Sequence, residues 1–119
     1  MIAKPNNSSS VLDLADLPGR VHVVNADEVL AYLAQFPDLI PILPDLCAAT
    51  RAEFGEEAAL LLELVHDMEI YDPHLVLWVR LRHYDDTVVS RIFAVDAAFE
   101  ERLTDAEGWL WVATDYRLL

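Results

Sequence analysis

The chain has 119 residues, 55% of them hydrophobic, and 21 acidic against 8 basic side chains give it a formal net charge of −13. That length suits one domain able to bury roughly two-thirds of its unfolded surface. The charge argues against nucleic acid and anionic membranes and favours a basic or neutral partner, and no apolar run approaches the roughly 20 residues of a membrane span.

Three scattered glycines, Gly19, Gly55 and Gly108, leave no glycine-rich phosphate loop. No stretch near the N-terminus joins a basic region to an apolar one, so no signal peptide is expected. Cys47 is the single cysteine. It cannot form an intramolecular disulfide, and a cytoplasmic location is the default expectation. The apolar content exceeds the usual range of about 45–50%. With no membrane segment to absorb the surplus, a subunit interface is favoured.

Residues 1–10 contain Asn-Asn-Ser-Ser-Ser and read as a flexible arm ahead of a single α+β domain over 11–119. Val11 to Leu17 fits a strand or a short helical turn, which Pro18-Gly19 breaks. Val21, Val23 and Val24 suggest a short extra strand. Asn25 and Glu28 are spaced as a capping box for a first helix, with Val24 and Val29 as its hydrophobic staple. Val29, Leu30 and Leu33 form its stripe, and Pro37 stops it near Gln35.

Asp38 is a candidate N-cap for a second helix. Leu39, Ile40, Leu43, Leu46, Cys47, Thr50 and Phe54 recur at helical spacing, and Gly55 closes it. Pro41 is tolerated in the first turn. Pro44 is expected to kink the helix or delay its regular start.

A hairpin occupies Ala58 to His83, turning between Asp67 and Pro73. Leu60, Leu62 and Leu64 share one face with Leu75, Leu77, Val79 and Leu81, and that aliphatic face is the expected core. Leu64 then sits opposite Leu75 or Leu77. Asp85, Asp86 and Thr87 offer caps for a third helix with the stripe Val88, Ile92, Val95, Phe99 and Leu103. After Gly108 comes a last strand, Trp109 to Tyr116, with Leu110 and Val112 inward.

The order is thus α-α-β-β-α-β. It predicts an α+β fold with helices on one face of a three-stranded, mainly antiparallel sheet. The last strand runs parallel to the second. Placing it beside the first makes every neighbour antiparallel, in the order 2-1-3, with 1-2-3 as the alternative.

The outer face of this sheet should be polar if it is wet. Instead it is assigned Leu61, Val65, Val76, Trp78, Trp109 and Trp111, together with Arg80, Arg82 and Arg117, three of the 8 basic residues. Tryptophan and arginine dominate binding hot spots. Three coverings compete: a second copy of the chain, the segment Val11 to Val24 folded over the face, or another protein or anionic ligand.

Candidate chemistry is sparse. His66, Asp67, Asp72 and His74 cluster at the hairpin turn and are weak metal ligands. Opposite parity separates the two histidines, and Asp-Pro is ordinary turn chemistry. His83 with Asp85 or Asp86 could form a general base. The nearest hydroxyl, Ser90, lies on the following helix without a nucleophile elbow, and helix capping accounts for both aspartates. Cys47 lies on an apolar stripe and reads as a buried structural thiol.

The run Phe36-Pro37-Asp38-Leu39-Ile40-Pro41-Ile42-Leu43, with Phe54, the leucine-rich strand ending in His66-Asp67 and Leu75-Val76-Leu77, resembles small bacterial α+β proteins of unknown function. The resemblance spans roughly residues 26–116, rests on packing patterns and a turn, and implies no activity.

The sequence therefore points to a small acidic, non-enzymatic protein that needs no cofactor and works through protein–protein contact. It is expected to be a homodimer, with a basic protein as a further partner in an antitoxin- or immunity-like role. The alternative is a small enzyme or ligand- or metal-binding protein with a carboxylate–histidine site at a hairpin end.

Overall fold

The computed structural model describes residues 14–67 and 70–118, with only the backbone described for Asp67 and residues 70–72. The expected N-terminal arm lies outside the described residues. The elements are β1 (His22–Val23), α1 (Ala26–Gln35), α2 (Ile42–Phe54), β2 (Ala59–Asp67), β3 (Ile70–Arg80), α3 (Val88–Ala98), α4 (Glu100–Asp105) and β4 (Leu110–Ala113). Short 3-10 turns cover Leu14–Asp16 and Pro37–Leu39. The fold is α+β, a four-stranded mixed sheet with helices on one face. Among the described residues no single helix is long and apolar enough to cross a membrane.

The strands lie in the order β1-β2-β3-β4. Only β2 and β3 are antiparallel, while β1–β2 and β3–β4 are parallel. The expected three-stranded order 2-1-3 is therefore overturned in favour of 1-2-3, extended by β1. The reason is local: a helical crossover joins parallel neighbours directly, so β4 docks beside the strand that its own helices leave.

The two crossovers have opposite hands. Both lay their helices over the same face, yet β1–β2 and β3–β4 run in opposite directions. Leu75 is buried among the helices and donates its N–H to Trp109. For an L-residue this places β4 to the right of an upward β3 seen from the helices, the hand of about 98% of such connections. The β1–β2 crossover is left-handed. β1 offers only two paired residues, and the long path through α1 and α2 relaxes the constraint that enforces the common hand.

The expected parity holds. Leu60, Leu62 and Leu64 pair with Val79, Leu77 and Leu75. Leu110 and Val112 join them on the inner face, where Val29, Leu33, Leu43, Leu46, Cys47, Ile92 and Val95 pack from the helices. These 3.6- and 2-residue periodicities meet in one apolar layer, the main stabilising term.

Several local expectations are corrected. Asn25 precedes α1 but sits in the left-handed region at φ 52°, and its side chain makes no cap. Its carbonyl instead receives Glu28 and Val29 N–H at 3.0 and 3.2 Å. A capping box needs extended backbone at that position, and the sharp exit from β1 denies it. Asp38 does not cap α2. Its Oδ2 accepts the Glu107 N–H at 2.7 Å. The regular helix starts only at Ile42, the delay expected of Pro44, which thus falls in its first turn, where no intrahelical N–H is needed. The third helix breaks at Phe99 into α3 and α4. Arg102 of α4 reaches Asp45 Oδ2 at 2.9 Å and the Pro41 carbonyl at 3.2 Å, tying the second piece to the start of α2.

Arg51 is the main polar joint of the fold. It donates to the Gly19 carbonyl through Nε and one terminal nitrogen, at 2.9 and 2.7 Å. Its other terminal nitrogen serves the Gly55 and Ala58 carbonyls at 2.7 and 2.6 Å. One planar guanidinium thus fixes the N-terminal turn, the end of α2 and the entry to β2.

Candidate interface on the outer face of the sheet

The pairing register places the outward residues in rows across the strands. His22, Leu61, Trp78 and Ala113 form one row; Glu63, Val76 and Trp111 form the next; Val65 and His74 form a third. Among the described residues no helix packs here, because their helical stripes all enter the inner-face cluster. The segment expected to fold over this face does not do so within the described residues. Leu14, Leu17, Val21 and Val23 pack into the inner cluster instead, and Gly19 lies so close to α2 that a Cβ there would come within 3.2 Å of Arg51 Cβ and the Cys47 carbonyl oxygen.

The face covers itself in part. Trp111 stacks on His74 with centroids 4.3 Å apart and planes 18° from parallel. Trp78 Nε1 donates to Glu63 Oε1 at 2.9 Å, a diagonal cross-strand contact. Val76, beneath these rings, is buried, whereas Leu61, Val65, Trp78 and Trp111 stay partly exposed. His74 is buried, and its Nδ1 has no hydrogen-bond partner among the described residues.

Charge enters at one end. Arg80 pairs with Asp115 at 3.0 Å, and Arg117 Nε lies 3.5 Å from the same carboxylate. Desolvation pushes the Asp115 carboxyl up, but hydrogen bonds from Arg80 and the Arg117 N–H and the two positive charges outweigh it, leaving it below the usual range. Arg82 lies past the end of β3 and is exposed. Trp109, expected on this face within the last strand, is more peripheral than expected. It precedes β4, is 43% exposed, and lies at the rim beside Trp111, centroids 6.5 Å apart. The sequence reading thus brings together Leu61, Val76, Trp78, Arg80 and Trp111, with Trp109, Arg82 and Arg117 at the margins. It missed Glu63, His74 and Asp115 as the polar partners; the signal for Glu63 was its cross-strand position beside Trp78.

The other candidates disperse. His66 is exposed and lies 3.5 Å from Glu28 of α1, whereas His74 stacks on the opposite face. The side chains of Asp67 and Asp72 lie outside the described residues. Among the described residues no group of three or more His, Cys, Asp or Glu side chains could hold a metal ion. His83 is exposed. Asp85 turns to Thr87, accepting its N–H and hydroxyl, and these bonds hold its carboxyl below the usual range. Ser90 donates to the Thr87 carbonyl at 2.9 Å. Cys47 is fully buried, and burial pushes its thiol up to about 12, which removes the thiolate that reactivity requires.

No protein-family model, curated protein or solved structure matches the chain.

Proposed function

We propose that the protein acts through protein–protein contact rather than catalysis, and that it pairs with a second copy of itself by packing one outer sheet face on the other. The carrying observation is the strip Leu61, Val65, Val76, Trp78 and Trp111 on a face that none of the described helices covers. Sheets pack face to face through such alternating apolar residues, and two-fold dimers are the commonest assemblies.

Charge favours a second copy over a foreign partner here. The chain carries −13 overall, yet this face and its margin hold Arg80, Arg82 and Arg117 against Glu63 and Asp115. An acidic chain meets its own copy with least repulsion where its local charge is balanced. The acidic helical layer stays free for solvent or for a basic protein, as in an antitoxin- or immunity-like role. The lone buried thiol fits a cytoplasmic setting.

Sedimentation equilibrium tests this directly. Twice the chain mass is expected, and Trp78→Lys, which keeps a partner for Glu63, returns one chain mass with an unchanged far-UV spectrum. A strict monomer at every concentration overturns the proposal.

A further inference from the structure

β4 closes the sheet on one side and leaves its outer edge beside a groove. In the parallel β3–β4 ladder the Leu75 N–H donates to the Trp109 carbonyl at 2.9 Å. This alternation directs the Trp109 carbonyl and the main-chain groups of Trp111 and Ala113 to β3 and turns those of Leu110 and Val112 outward. The Val112 N–H is taken by Asp96 Oδ1 at 2.9 Å. The Leu110 N–H and carbonyl and the Val112 carbonyl remain on the open edge.

The groove beside this edge has a volume of about 660 Å³. Phe93, Ala97 and Glu100 line its helical side at one-turn spacing, and Trp109 and Trp111 line the strand side. Phe93 is 66% exposed, the largest apolar exposure in α3, and lines the groove together with Trp109. The charged side chains of the lining are Asp96 and Glu100, both acidic.

We infer that this groove receives an extended, lysine- or arginine-bearing segment of another protein, which adds as a fifth strand along β4 and sets an apolar side chain against Phe93 and Trp109. Strand addition to an open edge draws affinity from main-chain bonds and selectivity from pockets for alternate side chains. Asp96 occupies the Val112 N–H, so the added ladder is short, and the apolar mouth and the two carboxylates must supply the selection. A second copy fits poorly. Two β4 edges joined by a two-fold would bring Asp96 and Glu100 against their own copies, and like charges brought together in this way are repulsive. A helical segment would leave the Leu110 main-chain groups unpaired.

The probe is a synthetic octapeptide of alternating lysine and valine, titrated into the full ¹⁵N-labelled chain. Controls are the glutamate–valine counterpart and the lysine–valine peptide with proline at its centre. Amide shifts are expected at Leu110 and Phe93 and at the Trp109 indole, with slowed hydrogen exchange at Leu110. The glutamate peptide should not bind, and the proline peptide should bind more weakly. Glu100→Lys, an exposed substitution, should lower the affinity about five-fold. Equal binding of the proline peptide, with shifts spread over the acidic helices, or no binding at all, overturns the inference. The groove and the outer-face dimer fail separately: Trp78→Lys abolishes the dimer and leaves peptide binding intact.

Discussion

Trp111 lies flat on His74, ring centroids 4.3 Å apart, across the junction of β3 and β4. Trp111 pairs with Val76 in the ladder, so His74 is its diagonal neighbour. The stack shields an imidazole whose Nδ1 has no hydrogen-bond partner among the described residues. A buried unpartnered nitrogen is costly, while ring-on-ring burial is favourable. His74→Phe should therefore keep the stack and hold or raise the melting temperature. His74→Ala should lose about 2 kcal/mol and red-shift the tryptophan emission as Trp111 becomes wetter. Thermal melts with intrinsic fluorescence check both. Equal losses in the two variants would show that the imidazole does more than pack.

Arg51 gathers three carbonyls, those of Gly19, Gly55 and Ala58, that no helix or strand satisfies. A lysine keeps the charge but not the fork. Arg51→Lys should destabilise by about 2 kcal/mol, and urea titration reads the change in midpoint. Gly19→Ala should also destabilise, because Gly19 sits at φ 84° and its Cβ would meet Arg51. Both changes strike the same contact, so the double variant should cost less than the sum of the singles.

The approach to β4 is clamped by the end of α1 and the turn after it. Tyr32 Oη accepts the Trp109 N–H at 2.9 Å, and Asp38 Oδ2 accepts the Glu107 N–H at 2.7 Å. Between them Gly108 is packed so closely that a Cβ would come within 2.6 Å of Leu39 Cδ1 and 2.8 Å of Phe36 Cβ. Gly108→Ala should cost about 2 kcal/mol through overpacking, and faster hydrogen exchange should concentrate at residues 109–113. A uniform change in exchange would contradict the clamp.

Asp96 is half-buried against β4, and desolvation raises its carboxyl above the usual range despite the hydrogen bond from Val112. A carboxyl raised on folding contributes stability that is full below its unfolded value and is lost as pH rises through the folded one. At neutral pH the ionised form thus lowers stability. Asp96→Asn keeps an acceptor for Val112 and removes the charge. It should melt above the parent at pH 7, with the gap closing as pH falls toward the ordinary aspartate range. A gap that persists at low pH would place the effect outside this ionisation.

The two periodicities in the chain carried the layer structure by themselves. Leu60, Leu62, Leu75, Leu77, Leu110 and Val112 announce one face of a sheet, because side chains alternate along a strand whatever its neighbours. The same alternation sets Leu61, Val76, Trp78, Arg80 and Trp111 on the other face. The α2 stripe and the Gly55 stop are equally local, since hydrophobic period and a glycine terminus act within a few residues; in α1 the buried face is Val29, Tyr32 and Leu33, and Leu30, expected in the stripe, is exposed.

Tertiary structure decided what depends on distant partners. Strand order followed from where the α3–α4 crossover returns, an issue that no alternation pattern addresses. Asp38 and Asn25 carry the local signature of helix caps, yet Asp38 holds the backbone 69 residues away and Asn25 turns left-handed to leave β1. Whether a polar side chain serves its own helix or another segment is settled by which unpaired N–H the fold brings nearer. The open edge of β4, the joint at Arg51 and the His74–Trp111 stack exist only once strands far apart in sequence lie side by side.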